Sequence, residues 1–339
     1  MSKVKQSVGI LATGSYLPKD EIDSEGIVKL TDATVEWIER KTQIKSRRYA
    51  ASDEATSDLA AQAAMQALEG GGFNVNQIAY VIVSTSTGDF PMPPTSYLVQ
   101  EMIGAHEAAC MDINVVCSGF VYGLALAQGL LALHPDRYAL VVGAEIYSRI
   151  IDFTDRRTAV LLGDGAGAVI VGSTPEPYGI IDFDLSSRGE AHHLIRIEAG
   201  GSRQPTSHKT VDNGGHYFRM DGRGVRDFVM KNVPPFLDSV TSRAGFRLDQ
   251  IDHFVPHQAN GVLLSELVQR AGLTGARTHR VLEKYGNVGS ASVPITLDEA
   301  NRSGCFNEGD LVLLAGFGGG MSIGACLLRW LPGASKGAR

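Results

Sequence analysis

The sequence predicts an α/β protein made of two similar halves. Apolar segments with the composition of buried strands alternate along the chain with amphipathic segments of helical period, an order typical of α/β folds. The segment FNVNQIAYVIVSTST, which begins at Phe73, also aligns with FRLDQIDHFVPHQAN, which begins at Phe246. Each leads into a helix-like segment that ends near a glycine. This repetition indicates a diverged internal duplication.

The first half is predicted to alternate strands with helices. Its segments in chain order are YVIVSTS (80–86), the helix-like SYLVQEMIG (96–104), MDINVV (111–116), the helix-like GFVYGLALAQGLLAL (119–133), YALVVGAEI (138–146) and AGAVIVG (166–172).

The second half follows a polar stretch, 186–215, and repeats the alternation. Its segments are RDFVMKNVPPFLDSV (226–240), IDHFVPH (251–257), NGVLLSELVQRAGL (260–273), SASVPITLDEANRSG (290–304), DLVLLAGFGGG (310–320) and GACLLRW (324–330). Residues 1–178 are therefore assigned to an N-terminal half and 179–339 to a C-terminal half. A glycine-rich turn is expected to connect two apolar strands near the end of each half, in LLGDGAGAVIVG from Leu161 and in LLAGFGGGMSIGACLLRW from Leu313.

Composition limits the classes of function. With 339 residues, of which 44% are hydrophobic, the chain can bury a large interior. The formal net charge is −6 and the basic residues are scattered, so neither nucleic acid nor a membrane surface is an expected partner. No stretch has the roughly eighteen uninterrupted apolar residues of a membrane span. Four cysteines without CxxC spacing and a start without a signal-peptide apolar region predict a reduced, cytoplasmic protein.

Three residues are candidates for one reaction centre. Cys117 lies where a predicted strand passes into an apolar helix, and Asn287 lies at the matching junction of the second half. His257 follows the carboxyl end of another predicted strand. Because functional groups on parallel α/β sheets gather at carboxyl strand ends, all three are expected to face one site.

Cys117 is the candidate nucleophile. A helix N-terminus favours a thiolate, so the pKa of this thiol is expected to be lowered. The other cysteines are expected to be ordinary small hydrophobic side chains: Cys110, Cys305 and Cys326.

Several other motifs suggest chemistry that their context disfavours. GDGAGA, from Gly163, fits a dinucleotide fingerprint, but it precedes a strand instead of opening a helix. His253 and His257 are four apart, yet Pro256 and the strand-like surroundings argue against a metal-binding helix, so no metal is expected. The histidines of the polar stretch are expected to be solvated: His192, His193, His208 and His216.

The glycine-rich segment Phe317 to Met321 has two interpretations. Its bare backbone N–H groups can approach a reacting atom, or it can be a tight hairpin without a catalytic role.

Taken together, the motifs resemble the β-ketoacyl-acyl carrier protein synthase III family, which has the thiolase-like fold. The resemblance covers nearly the whole chain. It rests on D-I-x-x-x-C-x-G-F around Cys117, P-H-Q-A-N at His257, G-N-x-x-S-A-S-V-P at Asn287, the terminal F-G-G-G, Glu36-Trp37-Ile38 and Thr154-Asp155-Arg156.

The resemblance implies a duplicated five-layer α-β-α-β-α protein, usually a homodimer, that condenses an acyl-CoA primer with a malonyl thioester. It implies that Cys117 carries the acyl group, with its own N–H and that of Gly319 as the oxyanion hole. His257 and Asn287 are then the donors to the enolate formed by decarboxylation, an assignment that also suits two neutral donors facing a growing negative charge. No metal or redox cofactor is implied, since acyl-CoA and the malonyl thioester are substrates.

The resemblance also implies residues that bind substrate. Trp37 and Arg156 match positions at the CoA adenine, Asn260 matches one at the pantetheine arm, and Phe317 is placed beside the substrate. The segment Gly88 to Leu98 resembles the loop that shapes the primer pocket across the dimer, with Met92 at its tip.

Five positions depart from the family pattern. Lys41 replaces an arginine, and Arg157 replaces a glycine beside the nucleotide. Asp227 and Val262 replace basic residues associated with docking of an acyl carrier protein, and Arg226 replaces an aromatic residue near the channel. These departures favour a specialised biosynthetic enzyme over a fatty-acid initiator.

Two other functions stay open at this point. One is an acyltransferase that passes the acyl group from Cys117 to a hydroxyl or amine, and the other is a non-catalytic scaffold that binds a carrier protein. Asn287 favours condensation, because deprotonating an alcohol through His257 would be helped by an acidic residue at that position.

Overall fold

Two five-stranded mixed sheets form the framework of the protein. The structure, a computed structural model, describes residues 7–331. The strands of sheet 1 are β1 (Ser7–Tyr16), β4 (Ile78–Ser84), β5 (Ala109–Ile113), β6 (Tyr138–Ile146) and β7 (Asp164–Thr174). Those of sheet 2 are β8 (Gly179–Ser187), β11 (His253–Pro256), β12 (Arg277–Thr278), β13 (Leu311–Gly318) and β14 (Ser322–Arg329). Two short pairs are separate, β2 (Asp20–Asp23) with β3 (Ser46–Tyr49), and β9 (Ile195–Ile197) with β10 (Phe218–Met220).

The two sheets have the same topology. Sheet 1 has the order β1-β7-β6-β4-β5 and sheet 2 the order β8-β14-β13-β11-β12. In each sheet the last three strands are parallel and the first two pairings are antiparallel. The predicted duplication is therefore confirmed. The boundary between residues 178 and 179, which lies in the turn between β7 and β8, stays a prediction.

Helices form three layers around these sheets. They are α1 (Ser24–Val28), α2 (Val35–Thr42), α3 (Thr56–Gly71), α4 (Thr95–Ile103), α5 (Gly119–Leu131), α6 (Arg156–Ala159), α7 (His208–Asp212), α8 (Gly222–Arg243), α9 (Gly261–Arg270), α10 (Leu282–Tyr285) and α11 (Ser292–Arg302). α5 and α11 contact both sheets, α3 and α4 pack on the outer face of sheet 1, and α8 packs on that of sheet 2 with α9 beside it. The five-layer α-β-α-β-α prediction is confirmed.

The apolar sequence of α5 follows from its central position. Phe120, Val121 and Leu124 are buried and belong to one core with Val141 of sheet 1 and Leu314 of sheet 2. A helix that is apolar on every side is typical of a helix packed between two other layers. No helix among residues 7–331 is long and apolar enough to cross a membrane.

One sequence prediction is wrong in its detail. Gly165 and Gly167 of GDGAGA lie inside β7, and Gly163 directly precedes that strand, so the motif is not a turn between two strands. A Cβ at Gly167 would lie 2.6 Å from the backbone nitrogen of Ile295, so these glycines let α11 pack closely on the strand. The corresponding prediction for the second half is confirmed, because the residues between Gly318 and Ser322 connect β13 to β14.

Candidate active site

An apolar cavity collects the candidate residues of both halves. It has about 730 Å³ of empty space, including the part open to solvent. Cys117, His257 and Asn287 all line it, together with Asn260 and Phe317. The remaining walls are mostly apolar, with Val116, Tyr147, Leu161, Leu162, Ile195, Phe218, Met220, Val225, Val229, Ala259 and Leu263. The structure therefore brings the three predicted reaction-centre residues to one cavity.

A strained turn positions Cys117. β5 ends at Ile113, the residues Val116–Ser118 form one 3-10 turn, and α5 begins at Gly119. Val116 has a φ of +47°, which is unfavourable for a β-branched side chain. This turn places the buried Cys117 directly before the helix, as the sequence predicted.

Glycines in β13 allow sheet 2 to reach the sulfur. A Cβ at Gly318 would lie 2.8 Å from the Cys117 Sγ, and one at Gly316 would lie 2.7 Å from the Cα of Ser118. Neither position could hold a side chain without displacing the turn. The packing of the turn against β13 holds the backbone N–H groups of Gly319 and Cys117 near the sulfur, where they favour the ionised form of the thiol.

The expected low pKa of Cys117 is wrong for this buried thiol. Burial, and next the negative charge of Glu145, raise the pKa of Cys117 to about 12. The hydrogen bonds from Gly319 and from Cys117 itself lower the pKa, but they do not compensate for the loss of solvent. The sulfur is therefore a protonated thiol in the closed cavity.

His257 is a neutral imidazole at the carboxyl end of β11. Its backbone N–H donates to the carbonyl of Ala315 at 2.7 Å, and its ring contacts that of Phe317 edge-on, with centroids 5.5 Å apart. Burial lowers the pKa of His257 to about 3, against a smaller opposing effect of a hydrogen bond with the backbone of Gly289. The ring Nδ1 has no hydrogen-bond partner, although it is buried. A neutral imidazole that lines the cavity carries one ring N–H, and such a donor suits an oxygen that becomes negative during a reaction.

Two glycines hold Asn287 against the first half. Its N–H donates to the carbonyl of Leu161 at 2.8 Å, and its carbonyl accepts from the N–H of Gly163 at 3.0 Å. Gly286 and Gly289 have φ of +68° and +50°, conformations that favour glycine. The N–H of Gly289 donates to the Asn287 Oδ1 at 2.9 Å. Since Oδ1 is occupied, the amide nitrogen is the group available to a substrate.

Asn260 has a structural role that the sequence analysis did not identify. It is the N-cap of α9, where its Oδ1 accepts from the N–H of Leu263 at 2.9 Å. Asn260 and Leu263 both line the cavity, so the cap also shapes the cavity wall.

The predicted nucleotide-binding pair lies outside the cavity lining. The guanidinium of Arg156 stacks over the ring of Trp37 at 5.2 Å and pairs with Asp32 at 3.5 Å. Trp37 belongs to α2, which contacts α9. Met92 also lies outside the lining and is 82% exposed, so one chain alone does not bring it to the cavity.

The positions that depart from the family pattern lie on the surface. Lys41 is exposed, and Arg157 pairs with Asp155 at 3.0 Å. Asp227 on α8 and Val262 on α9 are both exposed. Arg226 reaches from α8 to α9, where it makes two hydrogen bonds to Glu266 at 2.7 and 3.0 Å.

Sequence reasoning missed a buried carboxyl group near Cys117. Glu145 is the second-to-last residue of the apolar run YALVVGAEI and is fully buried, with hydroxyl groups around it. The signal was available, because a charged residue inside an apolar strand needs compensating partners in the fold. Tyr147, two residues later, lines the cavity and was also missed.

The histidines outside the site have ordinary surroundings. His253 begins β11, and its ring contacts His279 at 3.0 Å and Asp310 at 2.9 Å. In residues 7–331, no group of three or more His, Cys, Asp or Glu side chains has an arrangement that could hold a metal ion. His192, His193 and His208 are exposed, as predicted, whereas His216 is half-buried and stacks on Tyr217.

Comparison with known proteins gives a consistent result across the chain. The family model of 3-oxoacyl-[acyl-carrier-protein] synthase III matches residues 111–189, and the model of its C-terminal part matches residues 241–330. The chain is 46% identical to acetoacetyl CoA synthase NphT7 of Streptomyces sp. (strain CL190), over 95% of this chain and 98% of that protein. It is 41% identical to the β-ketoacyl-[acyl-carrier-protein] synthase III of Caldanaerobacter subterraneus, over 96% and 98%.

Solved structures agree with this result. The β-ketoacyl-[acyl-carrier-protein] synthase III of Thermus thermophilus superposes with a TM-score of 0.88 at 37% identity, over 97% of this chain and 100% of that chain. The priming β-ketosynthase of the R1128 polyketide biosynthetic pathway gives a TM-score of 0.89 at 32% identity, over 96% of both chains.

Proposed function

The chain belongs to the β-ketoacyl-[acyl-carrier-protein] synthase III family of decarboxylating condensing enzymes, and on this premise we propose that Cys117, His257 and Asn287 divide the reaction between them. The observation that carries the proposal is the single cavity lined by all three side chains. It supports a two-step reaction in which an acyl group first moves from CoA to Cys117 and then condenses with a malonyl thioester.

Acylation takes place at the Cys117 sulfur. The thiol adds to the carbonyl carbon of an acyl-CoA, the bond from that carbon to the CoA sulfur breaks, and CoA leaves as the thiol with the proton from Cys117. The backbone N–H groups of Cys117 and Gly319 lie near the sulfur, so they are close to the oxygen of an acyl group attached there. Donors fixed in this way stabilise the oxyanion of the tetrahedral intermediate.

Decarboxylation uses the other two residues. The bond to the malonyl carboxyl group breaks, carbon dioxide leaves, and the electron pair passes to the thioester oxygen as an enolate. His257 is neutral and Asn287 offers its amide nitrogen, so both can donate to this oxygen. The enolate carbon then attacks the acyl carbonyl, and the Cys117 sulfur departs to leave a β-ketoacyl thioester.

Intact mass spectrometry after incubation with an acyl-CoA tests the nucleophile. Wild type should gain the mass of one acyl group, whereas Cys117→Ala should gain none and remain folded. Cys326→Ala is a matched control, because Cys326 is a buried cysteine of β14 outside the cavity lining, and burial also raises its pKa to about 12. Acylation of Cys117→Ala at the wild-type level would disprove the assignment.

Substrate binding is proposed to use the groups around the cavity. The stacked Trp37 and Arg156 offer a flat cationic surface that suits an adenine ring, and Asn260 and Phe317 line the path of the pantetheine arm. No cofactor is required by this chemistry, because acyl-CoA and the malonyl thioester supply every atom of the product.

A homodimer is proposed from an uncovered edge of sheet 1. Among the described residues 7–331, β5 is the edge strand there and pairs only with β4. The adjoining loop and α4 expose Phe90, Met92, Tyr97 and Met102. A second copy would cover this surface, and Met92 would then reach the primer pocket of the partner.

The malonyl carrier and the location of the enzyme complete the proposal. The malonyl group is carried by CoA or by an acyl carrier protein whose docking differs from the usual mode, since Asp227 and Val262 replace basic residues. Cys110, Cys117, Cys305 and Cys326 are free thiols, which supports a reducing, cytoplasmic environment.

A further inference from the structure

A fully buried carboxyl group lies beside the catalytic cavity without an assigned role. Glu145 is in β6 and is 0% exposed. Two of its neighbours, Ser86 and Thr87, come from the segment that follows β4. A third, Ser290, comes from the Gly289–Ala291 turn. These groups are uncharged, so no cation within this cage neutralises the carboxyl group.

The hydroxyl group of Ser290 faces two hydrogen-bond acceptors, one of which belongs to Glu145. The Ser290 Oγ lies 2.8 Å from the carbonyl oxygen of Ser84 and 2.9 Å from the Glu145 Oε1. A hydroxyl group has one hydrogen and can satisfy only one of these acceptors fully. If Ser290 donates to Ser84, a proton on Oε1 completes the second bond, with Ser290 as its acceptor.

The other carboxyl oxygen is supplied with donors. Oε2 accepts from the hydroxyl of Thr87 at 2.7 Å and from that of Ser86 at 3.0 Å. The backbone N–H of Ser86 lies 3.1 Å from Oε2 and 3.2 Å from Oε1. This distribution of donors suits a carboxylic acid with Oε2 as its carbonyl oxygen and the proton on Oε1.

The carboxyl group of Glu145 is linked to the turn that holds Asn287. Ser290 follows Gly289, whose N–H holds the Asn287 Oδ1. The Ser86 hydroxyl lies 3.1 Å from the Tyr147 Oη, and a Cβ at Gly289 would lie 2.5 Å from the same oxygen. Glu145 therefore reaches the turn that holds Asn287 in two ways. It contacts Ser290 of that turn directly, and it is linked to Gly289 of the same turn through Ser86 and Tyr147.

We propose that Glu145 is a positioning residue that carries a proton, donates it to Ser290 and thereby fixes the turn that orients the Asn287 amide, while it keeps negative charge away from Cys117. The inference rests on the proposed roles of Cys117 and Asn287. It extends the machinery to a residue that touches neither substrate.

The surroundings agree with a protonated acid. Burial raises the pKa of Glu145 to about 7, against the opposing effect of its hydrogen bonds with Thr87, Ser86 and Ser290. The titratable groups that feel its charge are Cys117 and Tyr147, and in both the negative charge raises the pKa. Ionisation above neutral pH thus turns Ser290 away from Ser84 and makes Cys117 harder to deprotonate.

Infrared spectroscopy of the whole chain in heavy water tests the protonation directly. Wild type at pH 6 should show the carbonyl stretch of a buried carboxylic acid, which disappears above neutral pH and is absent from Glu145→Gln. Asp298→Asn is the matched control, because Asp298 is also a fully buried carboxyl group with Thr13 and Ser15 as donors. The band should survive in Asp298→Asn. Persistence of the band in Glu145→Gln, or its absence from wild type, would overturn the proposal.

The half-reactions test the positioning role. Glutamine is neutral and can donate to Ser290, so Glu145→Gln should keep the decarboxylation rate at pH 7 and lack the alkaline decline of wild type. Alkylation of Cys117 by iodoacetamide should begin about one pH unit or more lower in this variant. Ser290→Ala should lose decarboxylation about tenfold, the worth of one hydrogen bond, with acylation nearly unchanged.

Two results would refute the positioning role. One is a decarboxylation rate that declines at alkaline pH in the same way in wild type and Glu145→Gln. The other is an equal loss of acylation and decarboxylation in Ser290→Ala. Failure of the proposed function is distinguishable, because it would appear as acylation of Cys117→Ala. The infrared and alkylation results do not depend on condensation.

Discussion

At the scale of single residues, the nucleophile depends on the absence of side chains around it. Gly318 leaves only enough space for the Cys117 sulfur, and Val116 adopts a strained φ to present it. The strain is maintained because α5 and β13 pack on both sides of the turn.

Gly318→Ala should therefore impair acylation. The added methyl group would lie 2.8 Å from Sγ and must displace the sulfur, and we expect a loss of about tenfold or more in the rate of acyl-enzyme formation. Gly129→Ala on α5 is the control, since no atom lies within 4 Å of its Cβ and alanine favours a helix by up to about 1 kcal/mol. Single-turnover acylation and thermal melting would separate the two effects. Normal acylation in Gly318→Ala would contradict the close packing.

Sequence reasoning predicted that Cys117, His257 and Asn287 would converge, but it did not predict their ionisation. Cys117 and His257 follow the strands β5 and β11, whereas Asn287 follows the short helix α10. The pKa of Cys117 depends on its burial, to which the close approach of Gly318 contributes, and on the charge of Glu145. The position of Cys117 at the start of a helix predicts neither effect. The expectation of a thiolate consequently failed.

At the scale of elements, the second-half segments place polar groups at the cavity by capping helices and closing turns. α9 begins at Gly261 because Asn260 caps it, and the same residue lines the cavity. A substitution of Asn260 can therefore change both the stability of the protein and the binding of substrate.

Two substitutions can separate the roles of Asn260. Asn260→Ala removes the cap and should lower the free energy of unfolding by about 1 kcal/mol, and it should also raise KM for acyl-CoA. Asn260→Ser restores a good cap but has no amide, so stability should recover while KM stays high. Chemical denaturation and steady-state kinetics measure both quantities. Recovery of KM together with stability would show that the cap alone matters.

Two elements that sequence reasoning missed, β1 and α3, have small buried residues instead of large apolar ones. β1 contains Gly9 and Gly14, and α3 packs against it with Ala60, Ala63 and Ala67. A Cβ at Gly14 would lie 2.5 Å from the carbonyl oxygen of Ala63. Close contact of this kind needs small side chains, which give only a weak hydrophobic period. The strongly apolar α5, β4 and β6 were all predicted.

At the scale of the whole molecule, the duplication explains why the site needs both halves. Cys117 follows β5 of sheet 1 and His257 follows β11 of sheet 2, while Asn287 comes after β12, the counterpart of β5, with α10 between them. The repeat in the sequence was sufficient to predict this arrangement, because equivalent segments fold into equivalent sheets. The surface residues that contact a partner are not repeated in the two halves, so their effect has to be predicted from each residue separately.

Carrier-protein recognition is a property of that surface. A carrier protein of the usual acidic kind meets Asp227 and the uncharged Val262, while the neighbouring Arg226 is paired with Glu266. We expect a high KM for an acidic malonyl carrier protein and a lower one in the double variant Asp227→Lys with Val262→Arg. Single exposed charges contribute only about 0.2–1 kcal/mol, but two changes act together on the rate of association. A low wild-type KM that neither the substitutions nor salt alters would place docking elsewhere.

We propose that the two halves contribute different steps. Cys117 of the first half accepts the acyl group, and His257 and Asn287 of the second half drive decarboxylation. The most direct test is the release of labelled carbon dioxide from a malonyl thioester by Asn287→Ala that has first been acylated on Cys117. We expect full acylation and a decarboxylation rate that is lower by roughly a hundredfold or more. Wild-type carbon dioxide release from this acylated variant would contradict the account.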